Sequence, residues 1–337
     1  MKPIQVLLLC GGQSEEHDVS LASARSVLKA AGPTFEIIPM IIDRSGKVHP
    51  PEASHALLRG KRPGTIEATA ITDLPHRCYD VVFPLLHGPF GEDGSVQGLL
   101  KLVGLPHVGS SILGSAVGMD KIVMKQVFAG HGFPQVSSQP VTRREWSTDP
   151  DSVLSACATL DLPLYVKPAN LGSSVGISRV EKSGELGPAL DEALAYDRRG
   201  IVEQGLVGVR ELEVALLGND HPASSPLGEI RYDSDFYDYR TKYTDGLAEL
   251  HIPAPVSAEV TARCKDLARK AFLAIDAAGL ARVDFFYRPE DGAIFLNEIN
   301  TMPGFTPTSM YPKLWEAAGL SYRTLIDRLL ELALEER

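Results

Sequence analysis

The sequence predicts an α/β protein that opens with a parallel sheet and turns to a mixed α+β pattern further along. Three observations carry that reading. Residues 4–10 form an apolar run interrupted only by Gln5, the pattern of a parallel strand buried on both faces. Gly11-Gly12 then leads into a helix and a second apolar run, the grammar of a βαβ unit. Beyond residue 119 the grammar changes: in PLYVKPANLGSSVGISRV strand follows strand across a Gly/Ser loop without an intervening helix.

Each element has its own signal. Leu21, Ala24, Leu28 and Ala31 recur at helical spacing, so a helix spans 18–31 and stops at Gly32-Pro33. Strands at 35–43 and 79–86 complete the first sheet, while the polar stretch 44–76 reads as an excursion or small hairpin. A helix begins near Asp120, and PLYVKPANLGSSVGISRV reads as strand, Gly/Ser loop, strand. A helix at 187–196 precedes a strand at 200–204, and ELEVALLG is a further strand. Residues 231–251 are polar and Tyr-rich with little periodicity, the signature of a functional lid. The helix 258–278, the strands LARVDFFY and AIFLNEIN around RPEDG, and a last helix at 322–335 follow. A chain of 337 residues exceeds the ~100–200 typical of one domain, and the pattern divides it into 1–118, 119–208 and 209–337.

Composition narrows the function. Hydrophobic residues at 44% and charged residues at 23% exclude wholesale disorder. The net charge of −10 and the lack of a basic patch argue against nucleic acid and anionic membranes as partners. The four cysteines are scattered with no CxxC pair, and most of them read as small buried apolar residues. The N-terminal run is shorter than a secretory leader requires, so the expected location is the cytoplasm.

The strongest chemical signal is the hairpin 280–300. Residues two apart on a strand share a face, so Arg282 pairs with Asp284 and Glu298 with Asn300. A turn centred near Glu290 puts all four on one face, with Val283, Phe285, Phe295 and Ile299 on the other. Hard cations such as Mg²⁺ take carboxylate and amide oxygens. An ion-pair network is the plainer alternative, but one arginine does not neutralise two carboxylates. Lys167 followed by the loop 168–176 suits phosphate binding by an ammonium and backbone N–H groups, or equally an ordinary hairpin. HGPFGEDG at the end of the third strand reads as a capped helix start. In EEHDVS a carboxylate at the sheet edge suits an ammonium ligand, although an N-cap by Ser14 or Asp18 explains it as well.

Taken in order, GGQSEEHDVS, HGPFGEDGSVQG, MDK, YVKPANLGSSVG, YDYRTKY, ARVDFF and NEINTMPGFTPTS resemble the D-alanine–D-alanine ligases of the ATP-grasp superfamily, over residues 11–312. The resemblance implies three α/β domains, α+β in the ATP-binding part, with ATP between the second and third. It implies ligation of two D-alanines through an acyl phosphate for peptidoglycan, with two Mg²⁺ (or Mn²⁺) ions, in a homodimer. Sister activities making D-alanyl-D-lactate or D-alanyl-D-serine, or an inactive ATP-binding regulator, are the alternatives. Residue by residue, it implies ATP-phosphate contacts from Lys121, Lys167 and Ser174, an adenine hinge at Glu203, Gln204 and Leu206, and a ribose contact from Glu211. The segment GLVGVRE is one residue longer than the usual hinge. Asp284, Glu298 and Asn300 are the implied metal ligands, and Arg282 with the Gly304 N–H the stabilisers of the tetrahedral intermediate. Glu16 is the implied ligand of the first ammonium, linked to Ser173 and Tyr243, with His87 and Lys242 nearby and Ser309 and Met310 around the second substrate.

Overall fold

The computed structural model describes residues 2–62, 67–73, 78–232, 248–306 and 308–335. Three sheets follow one another along the chain. The first has the order β4-β3-β2-β1-β5. Its centre is β1 (Ile4–Gly11), which pairs in parallel with β2 (Phe35–Ile42) and β5 (Val81–Pro84). Val6 to Cys10 have no exposed surface, as an apolar run between two parallel neighbours requires. Helix α1 (His17–Ala30) makes the crossover. The chain can leave β1 sharply because Gly11 has φ +88°, and a Cβ there would stand 2.3 Å from the Ile42 carbonyl oxygen.

The excursion at 44–76 is more structured than its polarity suggests. Strand β3 (Lys47–His49) extends the sheet by pairing with β2 and with the short β4 (Thr69–Ala70), and α2 (Pro51–Leu58) lies between them. Helices α3 (Ser95–Leu102) and α4 (Ile112–Met119) close the first part. Helix α5 (Lys121–Gly130) starts at Asp120, whose carboxylate accepts the N–H groups of Ile122 and Val123 at 3.1 and 3.0 Å.

The second sheet is antiparallel, with the order β6-β9-β7-β8: β6 (Ser138–Thr142), β7 (Leu164–Pro168), β8 (Ser178–Val180) and β9 (Arg199–Gln204). Helices α6 (Arg143–Thr148), α7 (Pro150–Cys157) and α8 (Leu186–Tyr196) accompany it. The third sheet has the order β12-β11-β10-β13-β14, from β10 (Arg210–Gly218), β11 (Ala223–Tyr232), β12 (Ala248–His251), β13 (Gly279–Arg288) and β14 (Ala293–Asn300). Helix α9 (Ala258–Ala274) ends four residues before the predicted 278, and α10 (Met310–Ala317) and α11 (Tyr322–Leu334) finish the chain.

The second sheet has a core of its own around Leu164, Val166, Leu190 and Val202. The first and third share one: Leu8 and Phe83 pack with Leu217, Leu280, Phe305, Tyr311 and Leu329. Phe83 and Phe305 meet edge-to-face at 5.7 Å, joining residues far apart in sequence.

Candidate active site

Three connected cavities lie between the sheets. The first, of about 680 Å³, is lined by Tyr165, Lys167, Glu203 to Leu206, Glu211 and Phe286. The second, of about 110 Å³, is lined by Lys121, Lys167, Gly172 to Ser174, Glu211, Glu213, Arg282, Asp284 and Glu298. The third, of about 140 Å³, takes in Glu16, His87, Ser173, Arg282, Glu298, Asn300, Gly304, Ser309 and Met310. Lys167 and Glu211 border the first and second, while Ser173, Arg282 and Glu298 border the second and third. Every site residue expected from the sequence is therefore on this crevice except Lys242 and Tyr243, which fall outside the described residues along with most of the expected lid.

The β13–β14 hairpin aligns the acids. Arg282 is opposite Asn300 and Asp284 opposite Glu298, and directly opposed residues share a face. The register shifts between Asp284 and Phe285, whose partner is Leu296, so Asn297 is an extra residue on β14. This bulge corrects one expectation. Phe295 is not in the core; beyond the bulge the parity of β14 inverts, and Ile294 and Leu296 are buried instead. Phe295 lies under the Arg288 guanidinium, 5.4 Å from its ring centroid.

On the neighbouring strand β10, Glu213 is opposite Asp284. Arg282 therefore sits between two carboxylates: its Nε and Nη2 donate to Asp284 at 2.8 and 2.7 Å, and Nε lies 3.0 Å from Glu213 Oε2. Burial opposes the charge on Arg282, but Asp284 and Glu213 more than restore it and keep the guanidinium ionised. Each Asp284 oxygen accepts one of these bonds. Asn300 Oδ1 accepts the Met302 N–H at 2.9 Å. Among the described residues no group of three His, Cys, Asp or Glu side chains forms a metal cluster. Two carboxylates and an amide are too few for a closed cage, but they fit a hard ion that keeps water and phosphate oxygens as its other ligands.

The Gly/Ser loop is anchored at its start. The Asn170 backbone N–H and side-chain amide donate to Asp197 at 3.0 and 2.9 Å, and Lys121 Nζ donates to the Leu171 carbonyl at 2.6 Å. Ser173 and Ser174 both take positive φ, 50° and 61°, an uncommon conformation for residues with side chains. That turn delivers the Ser173 hydroxyl to the Glu16 carboxylate. A Cβ on Gly172 would come within 2.9 Å of Glu16 Oε2, so the loop fits closely over the acid. Neither Ser14 nor Asp18 caps α1: the residue at the cap is Glu16, and no side chain closes the helix end. The Ser14 hydroxyl instead donates to the His87 carbonyl at 2.6 Å.

Lys167 Nζ donates to Glu203 Oε2 at 2.6 Å, and Lys125 Nζ lies 3.1 Å from Oε1. Burial would raise the Glu203 carboxyl, but the two ammonium groups override it and hold it at about 2. The Glu203 side chain is thus turned to lysines. Glu211 accepts from the Tyr232 hydroxyl at 2.5 Å. Gln204 Nε2 reaches toward Asp161 Oδ2 at 3.4 Å.

His87 is buried, with Nδ1 3.1 Å from the Met302 carbonyl and 3.4 Å from Glu92. Burial lowers its proton affinity, but the Glu92 hydrogen bond and charge, with Glu16 behind them, raise it on balance. HGPFGEDG is therefore more than a helix cap: Asp93 accepts the Ser95 N–H at 2.9 Å, while Glu92 folds back onto Gly88 and His87. Ser309 Oγ accepts the Thr306 N–H at 3.0 Å in the loop after Gly304.

Glu213 and Glu92, which line the crevice, and Lys125, which backs it, are among the polar residues for which sequence reasoning found no part in the site. Glu213 was within reach, being two residues from Glu211 and so on the same face. Lys125 carried no comparable signal.

Residues 5–110 match the family model for the D-ala D-ala ligase N-terminus, and residues 127–331 the model for the D-ala D-ala ligase C-terminus. The chain is 56% identical over 341 residues to a D-alanine–D-alanine ligase of Deinococcus radiodurans, covering 99% of both chains. Among solved structures it resembles the VanG D-Ala:D-Ser ligase of Enterococcus faecalis, with TM-score 0.84 and 33% identity over 98% of this chain and 99% of that one. It also resembles the D-alanine–D-alanine ligase of Coxiella burnetii, with TM-score 0.82 and 35% identity over 99% and 94%.

Proposed function

The chain belongs to the D-alanine–D-alanine ligase family, and on that premise we propose how its crevice divides the work. The protein is an ATP-grasp enzyme that joins two D-alanines to D-alanyl-D-alanine, for peptidoglycan synthesis. The observation that supports the assignment of roles is the continuity of the three cavities, with Lys167 at the first junction and Arg282 at the second.

In our reading ATP takes the first cavity, its adenine along 203–206 and its ribose at Glu211. Lys121, Lys167 and the Ser174 loop take the phosphates. Asp284, Glu298 and Asn300 hold two divalent ions, Mg²⁺ or Mn²⁺, which supply charge neutralisation and alignment to the phosphates. Glu16 takes the ammonium of the first D-alanine, steadied by Ser173, with His87 beside it. Its carboxylate attacks the γ-phosphorus of ATP, ADP leaves as the β–γ P–O bond breaks, and the carboxylate becomes an acyl phosphate. The amine of the second D-alanine, placed by Ser309 and Met310, then displaces phosphate. Arg282 and the Gly304 N–H stabilise the oxyanion formed in between. Lys242 and Tyr243 belong to a lid over 231–251 that keeps water from the acyl phosphate. The units 1–118, 119–208 and 209–337 act as three domains. Cytoplasmic residence and a homodimer complete the proposal; among the described residues no helix is long and apolar enough to cross a membrane.

One observation favours a second reading. The likeness to a D-Ala:D-Ser ligase makes D-serine a candidate second substrate. The test is phosphate release from ATP and Mg²⁺ with each amino acid in turn. D-alanine alone should support full turnover, with L-alanine inactive. Faster turnover when D-serine or D-lactate is added would transfer the assignment to a sister ligase, and equal turnover without amino acid would make the protein a simple ATPase. Tyr243→Phe should raise the ratio of depsipeptide to dipeptide from a D-alanine and D-lactate mixture, most clearly at low pH. Protonation disables the D-alanine amine there and leaves D-lactate untouched.

A further inference from the structure

Glu203 is a buried carboxylate with two buried lysines, where one would neutralise it. The side chains of Lys125, Lys167 and Glu203 are 7%, 12% and 4% exposed. Lys125 and Lys167 approach different oxygens of the carboxylate, Oε1 and Oε2. Only Lys167 reaches the crevice, bordering both the first and second cavities, whereas Lys125 borders none of the three. Burying a second ammonium is costly unless its charge has work to do.

The position of Lys125 is firmly held. Its helix is fixed at the start by the Asp120 cap, and Asp120 is itself paired with Arg199. The Lys125 carbonyl accepts from Gln135 Nε2 at 3.1 Å. Lys121, one turn earlier on the same face, points to the Gly/Ser loop instead.

We propose that Lys125 is a positioning residue whose charge offsets that of Glu203, so that Lys167 meets the ATP phosphates as an uncancelled cation. The proposal rests on reading the crevice as the ATP site. With Lys125 in place, Glu203 orients Lys167 through a single hydrogen bond and the cluster keeps one positive charge in excess. Without it, Glu203 and Lys167 form a closed neutral pair, and the phosphates lose most of the attraction at this point.

The test is equilibrium binding of ATP and of adenosine, both with Mg²⁺, to the full-length protein and its variants. For Lys125→Met the Kd for ATP should rise about tenfold while that for adenosine stays within about twofold, because only ATP carries the charge that Lys167 serves. Lys125→Arg keeps the charge and should hold the ATP Kd within about threefold of the parent. Lys125→Gln, which can still donate to Glu203 but carries no charge, should show the same ATP-selective loss and serves if Lys125→Met fails to fold. An unchanged ATP Kd in the uncharged variant, an equal loss for adenosine and ATP, or an equal loss in Lys125→Arg would overturn the proposal. Absence of ATP binding by the parent protein would instead refute the ATP-site reading, and the proposal with it.

Discussion

The hydroxyl of Ser173 donates a hydrogen bond to the carboxylate of Glu16, closing a link between residues 157 apart in sequence. Ser173 sits in the turn after β7 in the second sheet, and Glu16 at the start of α1 beside the first. The bond joins the Gly/Ser loop to the expected site of the first ammonium.

Ser173→Ala should therefore act on the amino acid more than on the nucleotide. A hydrogen bond to a charged group is worth roughly 1.5–3 kcal/mol, so we expect the KM for D-alanine to rise about tenfold or more. The Kd for ATP should change by less than about threefold. Initial rates over a grid of both substrates read the two effects separately. An equal loss for both would mean that the bond merely closes the loop.

Glu298→Gln and Asp284→Asn should each lower D-alanine-dependent phosphate release by ~10²-fold or more at saturating Mg²⁺. Circular dichroism should remain unchanged, because Val283, Leu296 and Ile299 on the opposite face carry the packing. Near-normal turnover in either variant would remove the metal assignment.

Glu213→Gln tests the second carboxylate on Arg282. A metal ion on Asp284 would compete with the guanidinium for the same oxygens, and Glu213 would then remain to hold Arg282 in place. We expect kcat to fall about tenfold with the ATP Kd nearly constant. A rise in ATP Kd with kcat intact would put Glu213 with the nucleotide instead.

Glu203 makes a pH prediction whose sign is fixed. Its carboxyl is held at about 2 in the folded protein, against an ordinary value of 4.5. A group with a depressed folded value contributes stability that is fully present above 4.5 and is lost as pH falls toward 2. Denaturant midpoints measured across that window should decline more steeply for the parent than for Glu203→Gln. Parallel slopes would mean that the lysines do not hold the carboxylate as the distances indicate.

Particular residues show how far the sequence could be read. Asp284, Glu298 and Asn300 came from strand parity alone, and they do share a face. The same parity misplaced Phe295, because nothing in AIFLNEIN marks Asn297 as the bulged residue; a bulge is settled by the pairing partner. The apolar run of β1 was plain, since a strand buried on both faces admits little else. Helices α6 and α7 passed unnoticed: both are short, and α6 buries no residue. Lys125 was unreadable for a different reason. A lone lysine on a helix is ordinarily solvated, and only the fold brings Glu203 against it.

The shared core of the first and third sheets decides how the crevice can open. With Phe83, Phe305, Tyr311 and Leu329 packed in one apolar mass, those two sheets and α11 form a single block. The second sheet has its own core and meets the rest through the segments 131–137 and 205–209, the polar contacts of Asp120, Lys121 and Lys125 at α5, and the small apolar cluster of Ile122, Ala169 and Ile201. The separate cores predict a clamp with one fixed jaw and one movable jaw, with the Ser173–Glu16 bond as its latch, so that ATP entry should move the second sheet against the other two. Distances between spectroscopic labels on α8 and α9 should shorten when ATP and D-alanine bind, while those between α1 and α11 stay constant.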